Sequence, residues 1–320
     1  MKIALNAILG LAFGAFLLWL TISQIDIGDA KSTLADARYG PMLIAVACYW
    51  FAIAIRISRW QLLLSQTKRL TYGEVGRSLI VGYTVNNLLP ARLGELFRVD
   101  FVRREYGVAR SAVLGSVIVE RLADLIAAMA LLGFGLAFAS FKGDISAIVL
   151  TALIAAAAIA AAIGGLSVVV FWRQHILRDR FRWLNERLEI LTRSITALGP
   201  RIVTVVAVMT VAIWTLEMLA VAFVMAGFGV FAAVADLSLI NGAAAFSTLV
   251  PSAPGYVGSL QAAYVLTFTA LGLEPAQGLL SATACQVILY GPLTIIGLLM
   301  LFAGHMRGGA SLISRSARGE

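Results

Sequence analysis

The chain has 320 residues, of which 60% are hydrophobic and 13% charged, and its formal net charge is +8. Soluble domains keep roughly a quarter of their residues charged, so this composition excludes an ordinary soluble protein and indicates a polytopic membrane protein. The positive charges fall in short segments between apolar runs, as in cytoplasmic loops, which argues against nucleic-acid binding through a basic surface.

Two apolar runs begin the chain. The first, residues 3–22, is too long for the core of a signal peptide and is interpreted as a retained first span. The second, residues 41–64, carries Arg56 and Arg59 near its far end. We expect these two side chains to extend along the helix and reach the lipid headgroups.

A polar segment, residues 86–98, then interrupts the apolar pattern with two amides, two arginines, a glutamate, a proline and a glycine. Pro90 removes an amide donor and disfavours helix at the preceding residue, so one helix should end there and another begin. The flanking apolar segments are each shorter than the ~20 residues that a span needs. We therefore predict a re-entrant helical hairpin at residues 78–106, with an interfacial loop as the alternative. Its candidate substrate-binding residues are Asn86, Asn87, Arg92, Glu95 and Arg98.

The rest of the chain continues to alternate between apolar and polar segments. Residues 173–198 combine apolar residues at helical spacing with several arginines, which predicts an amphipathic helix on the cytoplasmic membrane surface. A second broken apolar segment predicts a second hairpin at residues 237–271. Its candidate site residues are Pro251, Pro254, Gly255 and Gly258. Further full spans are predicted at residues 111–141, 145–172, 202–226 and 276–303.

The charge distribution predicts the orientation of these segments. If both termini are cytoplasmic and each hairpin returns to the side it came from, the basic loops lie inside and the charge-poor links outside. Two complete membrane crossings per broken segment would leave the flanking loops on the same sides, but the short apolar segments favour hairpins. The predicted fold is an all-α polytopic membrane protein with six full transmembrane helices and two re-entrant hairpins, forming one domain, residues 1–320, in the bacterial inner membrane.

An internal repeat relates the two halves. Residues 79–82 (LIVG) are echoed by residues 239–242 (LING), and each broken segment has a proline followed by a glycine at nearly the same spacing. The predicted repeats are residues 1–141 and 145–303. Three spans separate the hairpins, so they should enter from opposite sides. Inverted repeats with broken helices are typical of transporters that bind their substrate near the membrane midplane.

Three acidic residues fall inside the predicted spans. Glu120 and Asp124 share one helix face with Arg121 between them, and Glu217 lies in a later span. An unpaired charge at the centre of a span costs about 2.5–3.5 kcal/mol on insertion scales, so each should be paired or face water. The first two could form ion pairs with the first hairpin, contact a substrate, or do both. Glu217 could be protonated or paired with an arginine of the other repeat.

Motifs for catalysis are missing from the sequence. It has no His-Glu-x-x-His pair, no Gly-x-Ser-x-Gly elbow and no phosphate-binding loop. Both histidines flank predicted spans, and Cys48 and Cys285 lie in apolar runs. We therefore expect a transporter rather than an enzyme, with no metal or other cofactor.

Three motifs together resemble a known family: N-x-L-L-P-A-R-L-G-E-L-F-R at 86–98, E-R-L-A-D at 120–124 and V-P-S-A-P-G-Y-V-G at 250–258. They are similar to the lysylphosphatidylglycerol synthase transmembrane-region family of flippase-like domains. The resemblance implies translocation of a lipid and leaves the lipid class open. The family commonly has a glutamate after the second motif, whereas residues 259–261 read Ser-Leu-Gln here. No soluble synthase domain follows within the 320 residues, so synthesis of aminoacyl lipid is not expected.

The expected substrate is a membrane lipid with an anionic phosphate headgroup. Arginine side chains and a helix N-terminus after Pro90 would bind the phosphate, and the glycines of the second hairpin would let its backbone approach the first. The alternative is a non-transporting partner that scaffolds a lipid- or glycan-synthesising enzyme. Assembly into a homo-oligomer is also compatible with the sequence.

Overall fold

A computed structural model of the protein describes residues 32–89, 93–142, 198–248 and 253–316, with residues 16, 18 and 19. Every described element is helical. The predicted span 145–172, nearly all of span 3–22 and of the surface helix 173–198, Arg92 and Pro251 lie outside the described residues. The described helices are α1 (Tyr39–Leu64), α2 (Tyr72–Leu88), α3 (Leu93–Tyr106), α4 (Arg110–Phe138), α5 (Pro200–Gly227), α6 (Val234–Ser247), α7 (Ser259–Leu271), α8 (Pro275–Ala284) and α9 (Gly291–Ser316).

Three described helices are long and apolar enough to cross a membrane: α1, α5 and the continuous helix Pro275–Ala303. The last of these contains α8, a π-helical turn at Cys285–Tyr290 and the first part of α9. Helix α4 has 29 residues but carries four charged residues, all among its first 15. These helices confirm a multi-pass membrane protein and match the spans predicted in these parts of the chain.

The first hairpin consists of α2 and α3, and α2 begins at residue 72 rather than at the predicted 78. The cause is a capping box before the apolar residues begin. The backbone amide of Glu74 donates to the Thr71 hydroxyl at 3.3 Å, and the amide of Thr71 donates to the Glu74 carboxylate at 2.7 Å. The hydrogen bond from the Thr71 amide lowers the pKa of Glu74. In the sequence, polar capping residues of this kind resemble the residues of a loop.

The two ends of this hairpin meet beside the C-terminal end of α1. The Lys68 ammonium donates to the Tyr106 carbonyl oxygen at 2.6 Å, which connects the segment before α2 with the last residue of α3. The chain therefore returns to the end of the bundle from which it entered.

The second hairpin consists of α6, a 3₁₀ turn at Pro254–Tyr256, and α7, and it begins at residue 234 rather than 237. Its two ends meet at the far end of α4. There the Ser140 amide donates to the Asp236 carboxylate at 3.0 Å, and the Lys142 amide donates to the Ala270 carbonyl at 3.0 Å. Because α4 starts beside the first hairpin and ends beside the second, the hairpins enter the bundle from opposite ends.

The tips of the two hairpins meet inside the bundle. A Cβ at Gly255 would lie 3.6 Å from the Asn87 carbonyl oxygen, so the close approach expected at this glycine is present. Gly255 and Gly258 have φ of 69° and 90°, values that glycine adopts without a Cβ clash. Tyr256 between them also has positive φ, at 63°. The tip of the second hairpin is thus a tight turn against the end of α2.

Each hairpin packs against the long helix that follows the other hairpin. Helix α6 lies on α4, where a Cβ at Gly135 would come within 2.5 Å of the Leu239 amide and one at Gly242 would meet the α4 backbone. Helix α2 lies on α9, where Gly297 faces Thr84 without space for a side chain. Helices α1 and α5 pack against each other between these two contacts. Small residues permit such close helix approach in lipid.

Candidate functional site

A network of charged side chains lies where α1, α3, α4 and α5 meet. Among the described residues it contains four arginines and four carboxylates, so its formal charges cancel. We call this set the charge network. Its members are Arg56, Arg59, Glu95, Arg98, Glu120, Arg121, Asp124 and Glu217.

The two acids of α4 form the centre of the charge network. The Glu120 side chain is fully buried and lies 2.8 Å from Arg98, 2.7 Å from Arg121 and 3.8 Å from Arg59. Asp124 also has three arginine partners, at 2.8, 3.1 and 3.2 Å. Buried carboxylates need such partners because each charge loses its hydration.

Arg98 connects the first hairpin to α4. It donates two hydrogen bonds to Glu120, and its guanidinium lies 3.9 Å from the ring centre of Trp60, whose indole donates to Ser116 at 3.0 Å. Only 2% of Arg98 is exposed. The predicted ion pair between the hairpin and this span is confirmed. In this arrangement the guanidinium is enclosed by protein and does not face the cavity.

The prediction that Arg56 and Arg59 reach the headgroups was wrong. Both are buried, and Arg59 is fully so. Arg59 donates to Asp124 at 2.8 Å and to Thr210 at 2.7 Å, while Arg56 contacts Asp124 at 3.2 Å and Glu217 at 2.7 Å. The two arginines are three residues apart on one face of α1, which packs against α4 and α5 and their acids. Glu217 is thus paired with an arginine from the other half of the chain, one of its two predicted states.

A cavity of about 430 Å³ adjoins the charge network and extends between the hairpin tips. Helices α1 to α7, the π-helical turn and the start of α9 all contribute to its lining, together with Thr248 and Tyr256. Most of the polar groups are hydroxyls, amides and members of the charge network. The polar and aromatic lining residues are Tyr49, Arg56, Tyr83, Asn86, Asn87, Glu95, Arg121, Asp124, Trp214, Glu217, Asn241, Phe246, Thr248, Tyr256, Tyr264 and Tyr290.

The predicted site residues fall into groups in the structure. Six line the cavity: Asn86, Asn87, Glu95, Arg121, Asp124 and Glu217. Arg98 and Glu120 lie in the network behind them. Pro254, Gly255 and Gly258 belong to the turn that presents Tyr256, and Arg92 and Pro251 lie outside the described residues.

The two asparagines of the first hairpin also hold the fold together. The side-chain oxygen of Asn86 accepts from the Gly94 backbone amide at 2.7 Å, which ties the end of α2 to the start of α3. The side-chain amide of Asn87 donates to the Thr294 hydroxyl of α9 at 2.8 Å. Asn86 keeps both of its side-chain N–H groups and Asn87 keeps one, so neither contact removes the donor capacity toward the cavity.

Sequence reasoning missed the aromatic wall of the cavity, because tyrosines within apolar runs are typical of ordinary packing. Tyr49 and Tyr290, whose ring centres are 5.9 Å apart, are examples. Asn241 was detectable, since it places an amide in the LING quartet where the first repeat has a valine. Trp214 also lines the cavity, and its indole N–H has no hydrogen-bond partner among the described residues.

A chain of side-chain amides supports the second hairpin where the family resemblance led us to expect a glutamate. The Gly258 amide donates to Gln261 at 2.9 Å, Gln261 donates to Gln286 at 2.6 Å, and Gln286 donates to the Gly255 carbonyl at 2.8 Å. Gln286 lies in the π-helical turn, a distortion often found at functional sites. Neutral amides therefore hold this turn in place, whereas ion pairs hold the first hairpin.

Comparison with known proteins agrees with this architecture. Residues 7–297 match the family model described as the lysylphosphatidylglycerol synthase TM region. The chain belongs to this family. A similar curated protein is the UPF0104 membrane protein MJ1078 of Methanocaldococcus jannaschii, 22% identical over 230 residues that cover 68% of this chain and 93% of the relative. No solved structure matches the chain. The match to the lysylphosphatidylglycerol synthase TM region includes both hairpins and all of the charge network.

Proposed function

We propose that the protein is a lipid translocase, a transporter rather than an enzyme, that moves a phospholipid, polyprenyl-linked or other lipid headgroup across the bacterial inner membrane. The observation that carries this proposal is a cavity with charged and amide side chains in its lining, between two hairpin tips that enter the helical bundle from opposite ends.

The cavity supplies what a crossing headgroup needs. A polar headgroup cannot enter hydrocarbon without losing its hydration, so a translocase must offer replacement partners while the acyl tails stay in lipid. Arginine, carboxylate, amide and tyrosine groups line this cavity. Its volume of about 430 Å³ lies within the usual range of small-molecule sites, about 300–1,000 Å³.

We infer that the bundle is an inverted repeat with six full spans and two re-entrant hairpins. Two observations support this inference. Each hairpin packs against the helix that follows the other, as two units related by a two-fold axis would do. The Arg56–Glu217 ion pair joins positions 161 residues apart, and the same separation relates Gly94 to Gly255, near the two tips. Alternate exposure of the cavity to each leaflet would then follow from rocking of the two halves.

The proposed substrate carries an anionic phosphate. Arg56 and Arg121 line the cavity, and a guanidinium suits phosphate because its donors form a planar fork. Helices α3 and α7 both begin near the hairpin tips, which directs the positive ends of their dipoles toward the centre of the bundle. The positive-inside pattern of the loops supports a cytoplasmic location for both termini.

The experiment is a leaflet-resolved transfer assay with purified protein in vesicles containing fluorescent phosphatidylglycerol. Two arginines of nearly equal exposure provide a matched pair of variants. The side chain of Arg121 is 32% exposed and lines the cavity, whereas that of Arg77 is 33% exposed and pairs with Glu105 at the hairpin base. We expect Arg121→Gln to slow transfer strongly and Arg77→Gln to leave it unchanged. Equal transfer rates in the two variants would show that the lipid headgroup does not pass through the cavity. Absence of transfer by the wild type would favour a scaffold protein.

A further inference from the structure

Glu217 is held differently from the two central acids of the charge network. Glu120 and Asp124 each contact three arginines, whereas Glu217 contacts one, Arg56. Both hydrogen bonds in that pair end on a single carboxylate oxygen, Oε1, at 2.7 Å from Nη2 and 3.2 Å from Nε of Arg56. Glu217 therefore loses fewer contacts than Glu120 or Asp124 when it is neutralised. Glu95 also contacts one arginine, Arg121 at 3.6 Å, but Arg121 keeps Glu120 and Asp124 as partners, whereas Arg56 loses its shortest ion pair with Glu217.

Glu217 is also open to the cavity. Its side chain is 23% exposed, against 9% for Asp124 and 0% for Glu120. The groups that interact electrostatically with Glu217 are Arg56 and Tyr49 of α1 and Tyr290 of the π-helical turn. Asp124 is paired with the same arginine, Arg56. Water in the cavity can therefore deliver a proton to Glu217 without passing through the packed core.

Neutralising Glu217 changes the charge balance of the whole network. Its four arginines and four carboxylates cancel, so protonation leaves one excess positive charge. The excess is located on Arg56, whose Nη1 remains 3.2 Å from Asp124 while Nε and Nη2 lose their carboxylate. These two nitrogens form one edge of the guanidinium fork, and a phosphate accepts from such an edge with two parallel hydrogen bonds. A phosphodiester carries the one negative charge that restores neutrality.

We propose that Glu217 is a proton-binding site and that the protein carries one proton together with one anionic phosphodiester headgroup. This inference rests on the proposed function. A proton from water joins the Glu217 carboxylate, the ion pair with Arg56 breaks, and the headgroup phosphate replaces the carboxylate on Arg56. Release on the other side reverses these steps. The loaded site is electrically neutral, whereas a site with the proton alone or the phosphate alone is not.

The test uses full-length wild-type protein in vesicles that contain the pH dye pyranine, with fluorescent phosphatidylglycerol added to one leaflet. We expect proton uptake to accompany lipid transfer at one proton per lipid. We also expect the rate to be insensitive to a potential set by potassium and valinomycin, because a neutral pair crosses. Lipid transfer without proton uptake would overturn the coupling and leave the translocase function intact. Absence of lipid transfer would overturn both.

Variants of Glu217 test the assignment to this residue. Glu217→Gln should transfer phosphatidylglycerol at a rate independent of pH and without proton uptake, and this transfer should become sensitive to the membrane potential. Wild-type transfer should instead slow as the pH rises, because each lipid is carried with a proton. Glu274→Gln, at an exposed position before α8, is the control and should behave like the wild type. If Glu217→Gln does not fold, Glu217→Asp keeps a titratable carboxylate and should keep the coupling. Proton uptake by Glu217→Gln would overturn the proposal.

Discussion

Glu120→Gln should destabilise the protein more than any exposed carboxylate change of the same kind. The Glu120 side chain is fully buried, with Arg98 at 2.8 Å, Arg121 at 2.7 Å and Arg59 at 3.8 Å. An amide of the same shape keeps the volume but removes the negative charge. The buried Arg98 then loses the carboxylate that pairs with it, while Arg59 keeps Asp124 at 2.8 Å. Breaking a buried pair in this way costs about 3–5 kcal/mol in the free energy of unfolding.

The matched control is Glu105→Gln. Its side chain is 46% exposed, and its ion pair with Arg77 is 3.8 Å long. Exposed pairs of this kind contribute about 0–1 kcal/mol. The assay is reversible unfolding of both variants in mixed micelles with increasing denaturing detergent, followed by circular dichroism. Equal stability of the two variants would refute the argument that Glu120 is the buried centre of the network.

A double variant separates the charge effect from the loss of packing. Arg98→Gln with Glu120→Gln removes both charges of the 2.8 Å pair, so neither charge of this pair stays buried without its partner. We expect the double variant to be less destabilised than the sum of the two single variants, which is the signature of direct coupling. Complete additivity would show that the two side chains act independently. Lipid transfer measured in the same variants tells whether the pair serves stability alone.

Three further outcomes follow from the hairpins. Gly94→Ala should destabilise the protein, because its Cβ would overlap the backbone of α2, whereas Gly133→Ala meets nothing within 4 Å and should be neutral or slightly stabilising in thermal unfolding. Cysteines placed at residues 66–70 and 104–108 of a cysteine-free background should label from the same side of the membrane; labelling from opposite sides would exclude a re-entrant first hairpin. Thr71→Ala should remove the capping box and lower the thermal stability of the hairpin. Because the pKa of the capping glutamate is lowered, its stabilising contribution should be complete above the ordinary glutamate pKa and be lost as the pH falls through the lowered value.

The sequence predicted both hairpins for a clear physical reason. A proline inside an apolar run ends a helix, and two segments too short to span must turn back. It also predicted that the hairpin would pair with Glu120, because a carboxylate at that depth cannot remain alone. These predictions depend on energies large enough to constrain any fold.

Finer features depend on information that one sequence does not contain. Arg56 and Arg59 lie near enough to the end of α1 for snorkelling, and only the packing of α4 and α5 shows that they face acids instead. Three acids inside the predicted spans and Glu95 of the hairpin needed cationic partners, and Arg56 and Arg59 complete that balance, which was the available signal. The start of α2 was misplaced because capping residues resemble loop residues, and the tyrosines of the cavity wall resemble packing residues.

Lipid translocation is tested most directly by purified wild-type protein in vesicles that carry headgroup-labelled phosphatidylglycerol in both leaflets. A membrane-impermeant reductant bleaches the outer label in all vesicles. In vesicles with the protein, we expect the inner label to be bleached as well, as lipid moves outward, and Arg121→Gln to suppress this second phase while Arg77→Gln retains it. An inner label that stays protected to the same extent as in protein-free vesicles would contradict the account.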